Sequence, residues 1–220
     1  MQKLVAVLVC LAVGLGAATP LFDFETEAEA KAWKLRTPSD GLARSNMYAS
    51  SGQYSLCFST PAYKKGMEQW PAFEAGPPLR DWRGYDRLVI DIVNPSAEAP
   101  FLSFICSDSK VPFREGLRFS LPLPVRGFRR FVIPLSGFPK KVDRSDIAIL
   151  HIFSQRPTQD MSVFVDNIVL LRKGEKPPEP EDALAGQLAT MYLLTAPGRQ
   201  AFLAKCSAQF ISGTEAPQPA

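Results

Sequence analysis

Histidine is nearly missing from this chain: His151 is the only one among 220 residues. That rules out histidine-rich metal centres and leaves a single imidazole for any general-base role. Cysteine is scarce too, with four residues and neither a CxxC pair nor a Cys/His spacing suited to zinc. Charge of one sign is not in excess. The formal net charge of +3 is too small and too dispersed for a nucleic-acid binder. No GxSxG-type elbow is present to supply a nucleophilic serine. Beyond the first residues, no apolar run approaches the roughly 20 residues that a membrane span requires.

What is there begins with a leader. Met1-Gln2-Lys3 is a short positive start, Leu4 to Gly16 is an apolar run, and Gly16, Ala17 and Ala18 are small. This is the pattern of a secretory signal, with cleavage expected after Ala18. Cys10 does not make it a lipoprotein signal, because Val9 stands where Gly, Ala or Ser is needed. The mature chain is therefore expected to be secreted or periplasmic. Cys57, Cys106 and Cys206 remain after cleavage, an odd count for an oxidising compartment. Cys57 and Cys106 fall in strand-like runs, where they either pair or serve as small buried hydrophobes, and we favour buried thiols.

Short strand patterns punctuated by Gly, Pro, Ser and Asn fill residues 19–172. Leu21–Glu25 alternates strictly. Ala43–Tyr48 and Tyr54–Ser59 flank Ser50-Ser51-Gly52, a hairpin turn, and Pro71–Ala75 reads as an edge strand. Arg87–Asn94 is the strongest strand, with Leu88, Ile90 and Ile92 on one face and Val89, Asp91 and Val93 on the other. Phe101–Ser107, Leu117–Leu121, Phe128–Pro134, Ile147–Ser154 and Ser162–Arg172 follow. Crossover helices are missing, so the pattern predicts an all-β, two-sheet antiparallel sandwich. Residues 173–182 are charged and proline-rich, which predicts an extended linker. Asp182 caps a predicted helix with Leu184, Leu188, Met191 and Tyr192 at helical spacing. With a second short helix over Arg199–Phe210, the helical tail spans 183–212, and 213–220 is expected to be disordered.

Several side chains invite chemistry. On an alternating strand, Asp23 and Glu25 leave the same face, and pairing of the first and last strands would bring Asp166 near them. Carboxylates with backbone carbonyls from the Ser50–Gly52 turn are what calcium selects; ordinary solvent-facing acids in ion pairs are the plainer alternative. His151 alternates with Ile149 and Phe153, which favours a histidine satisfied on the sheet face over a general base. Glycoside hydrolysis needs two carboxylates about 5–10 Å apart, and no spacing singles out a pair among Asp91, Asp108, Glu115, Asp143 and Asp160. Residues 101–150 carry nine Lys or Arg against four acids, either a solvated rim or an attraction to an anionic polymer.

Four segments occur in order: Phe22-Asp23-Phe24-Glu25, Gly52-Gln53-Tyr54-Ser55-Leu56, Asp81-Trp82-Arg83-Gly84-Tyr85-Asp86, and Val165-Asp166-Asn167-Ile168. Together they resemble the galactose-binding-like jelly-roll modules attached to bacterial glycoside hydrolases, over residues 20–172. The resemblance implies a jelly roll and a structural calcium held by Glu25, the backbone near Gly52, Asp166 and, less directly, Asp23. It departs from the pattern at Thr26-Glu27-Ala28, where a Gly-containing turn is usual. It also implies a secreted, non-catalytic carbohydrate-binding module whose aromatic rings stack on a glycan. Trp70, Tyr63, Trp82 and Arg118 are the ligand candidates, with Tyr48 and Tyr85 behind them. Trp82 and Tyr85 have the competing reading of plugging the sandwich entrance. A structural or protein-interaction domain docking through the C-terminal helix is the alternative function, and a small hydrolase or lyase the third.

Overall fold

The computed structural model describes residues 18–193, with side chains to residue 191. The leader up to residue 17, Cys206, the second predicted helix at 199–210 and the tail at 213–220 lie outside the described residues. Eleven strands run in chain order as β1 (Thr19–Phe22), β2 (Lys34–Leu35), β3 (Gly41–Ser45), β4 (Ser55–Thr60), β5 (Ala72–Ala75) and β6 (Arg87–Asn94). Then come β7 (Phe101–Asp108), β8 (Leu117–Pro122), β9 (Gly127–Pro134), β10 (Ile147–Ser154) and β11 (Met161–Leu171). Helix α1 (Glu27–Ala32) precedes β2, and α2 (Asp182–Leu193) follows β11. Among the described residues, no helix is long and apolar enough to cross a membrane.

The strands form two antiparallel sheets, one ordered β3-β4-β11-β6-β9 with β1 also on β11, the other β2-β5-β10-β7-β8. Period-two alternation puts Leu56, Phe58, Leu88, Ile90, Ile92, Val163 and Val165 of the first sheet against Phe73, Leu102, Phe104, Leu150 and Ile152 of the second. Each of these side chains is essentially withdrawn from water, worth about 1.5–3 kcal/mol apiece before chain entropy is set against it. Trp82 is 0% exposed, its indole N–H donating to the Leu79 carbonyl at 2.7 Å. It belongs to the interlayer core, which removes it from the ligand candidates. Ring size decides this: a side chain so large is worth most where every face finds a contact.

The first strand is shorter than its alternation suggests. It ends at Phe22, because Phe24 turns into the left-handed region at φ 58° to bury its ring beside Phe22 and Trp33. Asp23 and Glu25 therefore do not share a strand face. Instead, Asp23 Oδ1 accepts the Glu25 N–H at 3.1 Å, and Thr26 with Glu29 forms the capping box of α1.

The outer face of the first sheet is covered. Register aligns Ala43, Cys57, Phe164, Val93 and Phe128 in one transverse row. Leu184 and Met191 of α2 are buried over this row, with Leu188 packed alongside. The extended segment before α2 is tied to the same sheet. Arg87 Nη2 donates to the Glu175 carbonyl at 2.5 Å, Arg130 Nη1 to the Pro178 carbonyl, and the Gly52 N–H to Glu181 at 2.8 Å. The helix expected to face a partner thus turns these apolar positions onto its own sandwich, because a sheet apolar on both sides must be covered on both. Cys57 lies under α2 and Cys106 in the interlayer core, so the two are separated by the first sheet; both are buried, and burial pushes the Cys106 thiol up.

Candidate functional site

The outer face of the second sheet has a different character. Register places Lys34, Glu74, His151, Ile105 and Arg118 side by side across β2, β5, β10, β7 and β8. The next row holds Ala72, Phe153, Ser103 and Ser120. Arg36 joins this row, since its N–H donates to the Ala72 carbonyl at 3.0 Å. Chain order scatters these residues over more than 110 positions; strand pairing collects them on one surface.

Four rings form a chain over this surface. Trp70 meets Phe153 edge-on with centroids 5.8 Å apart, Phe153 lies 5.5 Å from His151, and His151 lies 5.1 Å from Phe113. Phe153 and His151 are the buried floor, while Trp70 rises from its loop with 45% exposure. Three guanidinium groups sit over the rings: Arg118 over Phe153 at 5.7 Å, with Arg36 and Arg114 over Phe113 at 5.9 and 5.8 Å. Such contacts hold a guanidinium plane in place without neutralising it.

Glu74 organises the centre. Its Oε2 is 2.9 Å from His151 Nδ1 and 3.1 Å from Arg36 Nη1. Burial lowers the His151 pKa, against the pull of Glu74, so the ring is neutral at neutral pH. An imidazole held by a carboxylate and flanked by two phenyl rings is a surface for contact, with no nucleophile at its other side among the hydrogen bonds of the described residues.

Of the predicted ligand residues, Trp70 and Arg118 share this surface, both against Phe153. Tyr63 lies at its rim, under the Arg156 guanidinium at 5.6 Å, and Arg156 in turn bonds Gln69 beside Trp70. Tyr48 is buried beneath α2 against Phe164, and Tyr85 packs against the core near Thr19. Phe153, Phe113 and Arg36 were not among the candidates. Phe153 had been placed on the face of His151 by alternation, but both faces of β10 are apolar, so the pattern did not say which one is outward. Phe113 stands on a short 3-10 turn whose direction no periodicity encodes.

The expected calcium residues gather around the 50–54 turn, each through hydrogen bonds. Glu25 Oε1 accepts the N–H groups of Gln53 and Tyr54 at 2.8 and 2.9 Å. Gly52 adopts φ 68°, and a Cβ there would stand 2.4 Å from the same Oε1, so the close approach requires glycine. Asp166 Oδ2 accepts from the Ser50 and Ser51 N–H groups at 2.7 and 3.0 Å, with the Ser50 hydroxyl oxygen 3.1 Å away, and its Oδ1 accepts the Asn167 N–H. Arg44 occupies the carbonyls of Phe24 and Glu25 at 2.7 and 2.6 Å. A hard cation needs six to eight oxygens aimed at one point. Here N–H donors meet Glu25 Oε1 and both oxygens of Asp166, a guanidinium meets two carbonyls, and no group of three His, Cys, Asp or Glu that could hold a metal is found among the described residues. These hydrogen bonds hold the turn together by themselves. EGTA is accordingly expected to leave the melting temperature unchanged; a drop of several degrees would mean that the turn rearranges around a metal.

No family model matches the chain, and no curated protein is similar to it in sequence. Solved structures are. The family 11 carbohydrate-binding module from Clostridium thermocellum, in complex with a beta-1,3-1,4-mixed-linked tetrasaccharide, is 18% identical with a TM-score of 0.54, covering 72% of this chain and 98% of that one. A non-crystalline cellulose specific module, CBM28, is 14% identical with a TM-score of 0.50, covering 71% and 96%. An exo-beta-agarase is 17% identical with a TM-score of 0.56, covering 74% of this chain but 26% of its own, so the chain spans about a quarter of that enzyme. At these identities the likeness shows the fold alone: the two sheets form a jelly-roll β-sandwich of the same architecture.

Proposed function

We propose that this chain is a secreted, non-catalytic glycan-binding module whose ligand lies across the outer face of the β2-β5-β10-β7-β8 sheet. The ring chain Trp70–Phe153–His151–Phe113 carries this reading. Pyranose rings present apolar C–H faces and an equatorial fringe of hydroxyls. An exposed indole suits the face, and the flanking guanidinium groups suit the hydroxyls. The opposite sheet is a poorer candidate because α2 and the preceding segment already cover it. Solved relatives in fold include modules described as bound to a mixed-linked tetrasaccharide or specific for non-crystalline cellulose, which agrees with a glycan ligand. The leader sequence supports export. The non-catalytic reading draws on His151, whose imidazole is held by Glu74 between rings.

Trp70→Ala tests this directly in affinity electrophoresis against a panel of soluble polysaccharides. The wild type is expected to be retarded by at least one polymer, and the variant to bind it at least about tenfold more weakly, the cost of losing one well-placed aromatic anchor. Because the ring is 45% exposed, the variant's melting temperature should stay close to that of the wild type. Unchanged retardation of the variant, or a wild type that no glycan retards, would overturn the proposal.

A further inference from the structure

The charges on this face are one-sided. Among the residues that strand register places there, Lys34, Arg36 and Arg118 are cationic and Glu74 alone is acidic. Arg114 adds a fourth cation from the turn beside Phe113. Glu74 is already engaged twice, by Arg36 and by His151. Arg114 and Arg118 are exposed, and neither forms an ion pair among the described residues; Glu115, the acid on the same turn as Arg114, pairs with Lys141 instead. Each arginine lies over a ring of this face, Arg118 over Phe153 at 5.7 Å and Arg114 over Phe113 at 5.8 Å. Such contacts bias these guanidinium groups toward the ring face, where a fork can meet a planar anion. A neutral glucan offers only hydroxyls to two forks in this state and leaves their charge uncompensated.

We propose that the ligand is an acidic polysaccharide, its sugar faces resting on Trp70 and its anionic groups paired with Arg118 and Arg114. The inference rests on the glycan-binding reading above and adds the class of glycan. The shared chemistry is a repeating anionic group on a pyranose chain, whether a uronate carboxylate or a sulfate ester. Arg118 on β8 and Arg114 on the turn before it both border the rings, so anionic groups of one chain can meet both forks.

The test uses the mature chain, with retention on polygalacturonate and alginate for carboxylates, a sulfated galactan for sulfate, and carboxyl-reduced and desulfated forms of the same polymers as neutral matches. Wild type is expected to bind at least one acidic polymer, to bind its neutralised form at least about tenfold more weakly, and to release with rising salt. Arg114→Gln with Arg118→Gln should lose about tenfold or more on the acidic polymer, since two charge-assisted contacts are removed. Lys173→Gln with Lys176→Gln, an equal charge loss on the segment crossing the other sheet, should change little. The carboxylate and sulfate arms then identify which anion is held. Equal binding of acidic and neutralised polymers, lost in Trp70→Ala but not in the double arginine variant, would overturn the acidic ligand and leave the glycan face standing. An equal loss in the two double variants would show attraction to net charge alone and also overturn it. No retention on any polymer, acidic or neutral, would overturn the glycan face itself.

Discussion

Arg130→Met is expected to destabilise the protein by about 3–5 kcal/mol, the usual cost of leaving a buried charge without its partner. The cause lies on the covered face of the first sheet, where Asp166, Asp91 and Arg130 stand in one transverse row. Asp91 is 1% exposed, and Arg130 meets it with both prongs of its fork, Nε to Oδ1 and Nη2 to Oδ2, each at 2.7 Å. The Ser50 hydroxyl and Asn167 Nδ2 complete the shell of Asp91 at 2.8 and 2.9 Å, but both are neutral. Methionine fills the aliphatic stem of the arginine and supplies nothing to the carboxylate. It also releases the Pro178 carbonyl, so the segment leading to α2 should become more accessible to protease. Denaturant unfolding of the single variant and of Arg130→Met with Asp91→Leu reads the effect. The double variant should recover much of the loss, because an apolar pair has no charge to strand. A single-variant loss below about 1 kcal/mol would mean that water reaches Asp91 after all.

Asp166 predicts the second large effect, a stability that falls as pH rises. Desolvation pushes its pKa up to about 7, outweighing the N–H bonds from Ser51, Asn167 and Ser50 and the Ser50 hydroxyl, which all favour the charged form. In the unfolded chain the group titrates near about 3.9. Between those values the folded state holds a proton that the unfolded state has lost. The contribution of Asp166 is therefore fully present below about pH 4 and is lost as pH rises to about 7, a total of about 4 kcal/mol at about 1.4 kcal/mol per unit. Asp166→Asn removes the titration. It carries a fixed cost, because an amide N–H must then face one of the backbone donors, but that cost does not vary with pH. Urea unfolding from pH 5 to pH 8 should show the wild type losing stability relative to the variant across the range. Parallel profiles would mean that Asp166 is charged in the fold throughout.

Much of the scaffold is legible before any coordinates. Ile147–Ser154 and Arg87–Asn94 are found where their alternation puts them, and α2 begins at Asp182, one residue ahead of the expected start, with Asp182 inside its first turn. These segments obey local rules, since period two, period 3.6 and cap chemistry act over a few residues. β3 and β4 do pair as neighbours, but across the longer segment 46–54, which Glu25, Asp166 and Glu181 hold from a distance. Errors fall where a distant partner overrides the local preference. Leu21–Glu25 alternates like a longer strand, yet Phe24 leaves the strand conformation to reach Trp33 in the core.

The ligand face is less legible than the fold. Trp70 and Arg118 look like unrelated surface residues in the sequence, and nothing within ten residues of either points to the other. They meet because β5 and β8 flank the same β10–β7 pair, which brings both to Phe153. Trp82 carries the same composition signal as Trp70, and only burial separates a core plug from an exposed platform.

By itself, then, the sequence determined the two-sheet class, most strand boundaries to within a few residues and the C-terminal helix, because each follows from contacts close along the chain. Tertiary structure alone decided which side of each sheet faces outward. With apolar residues on both sides of β6, β10 and β11, hydrophobicity could not choose. Packing of α2 over one outer face resolved it, leaving the opposite face, with its rings and unpaired arginines, open.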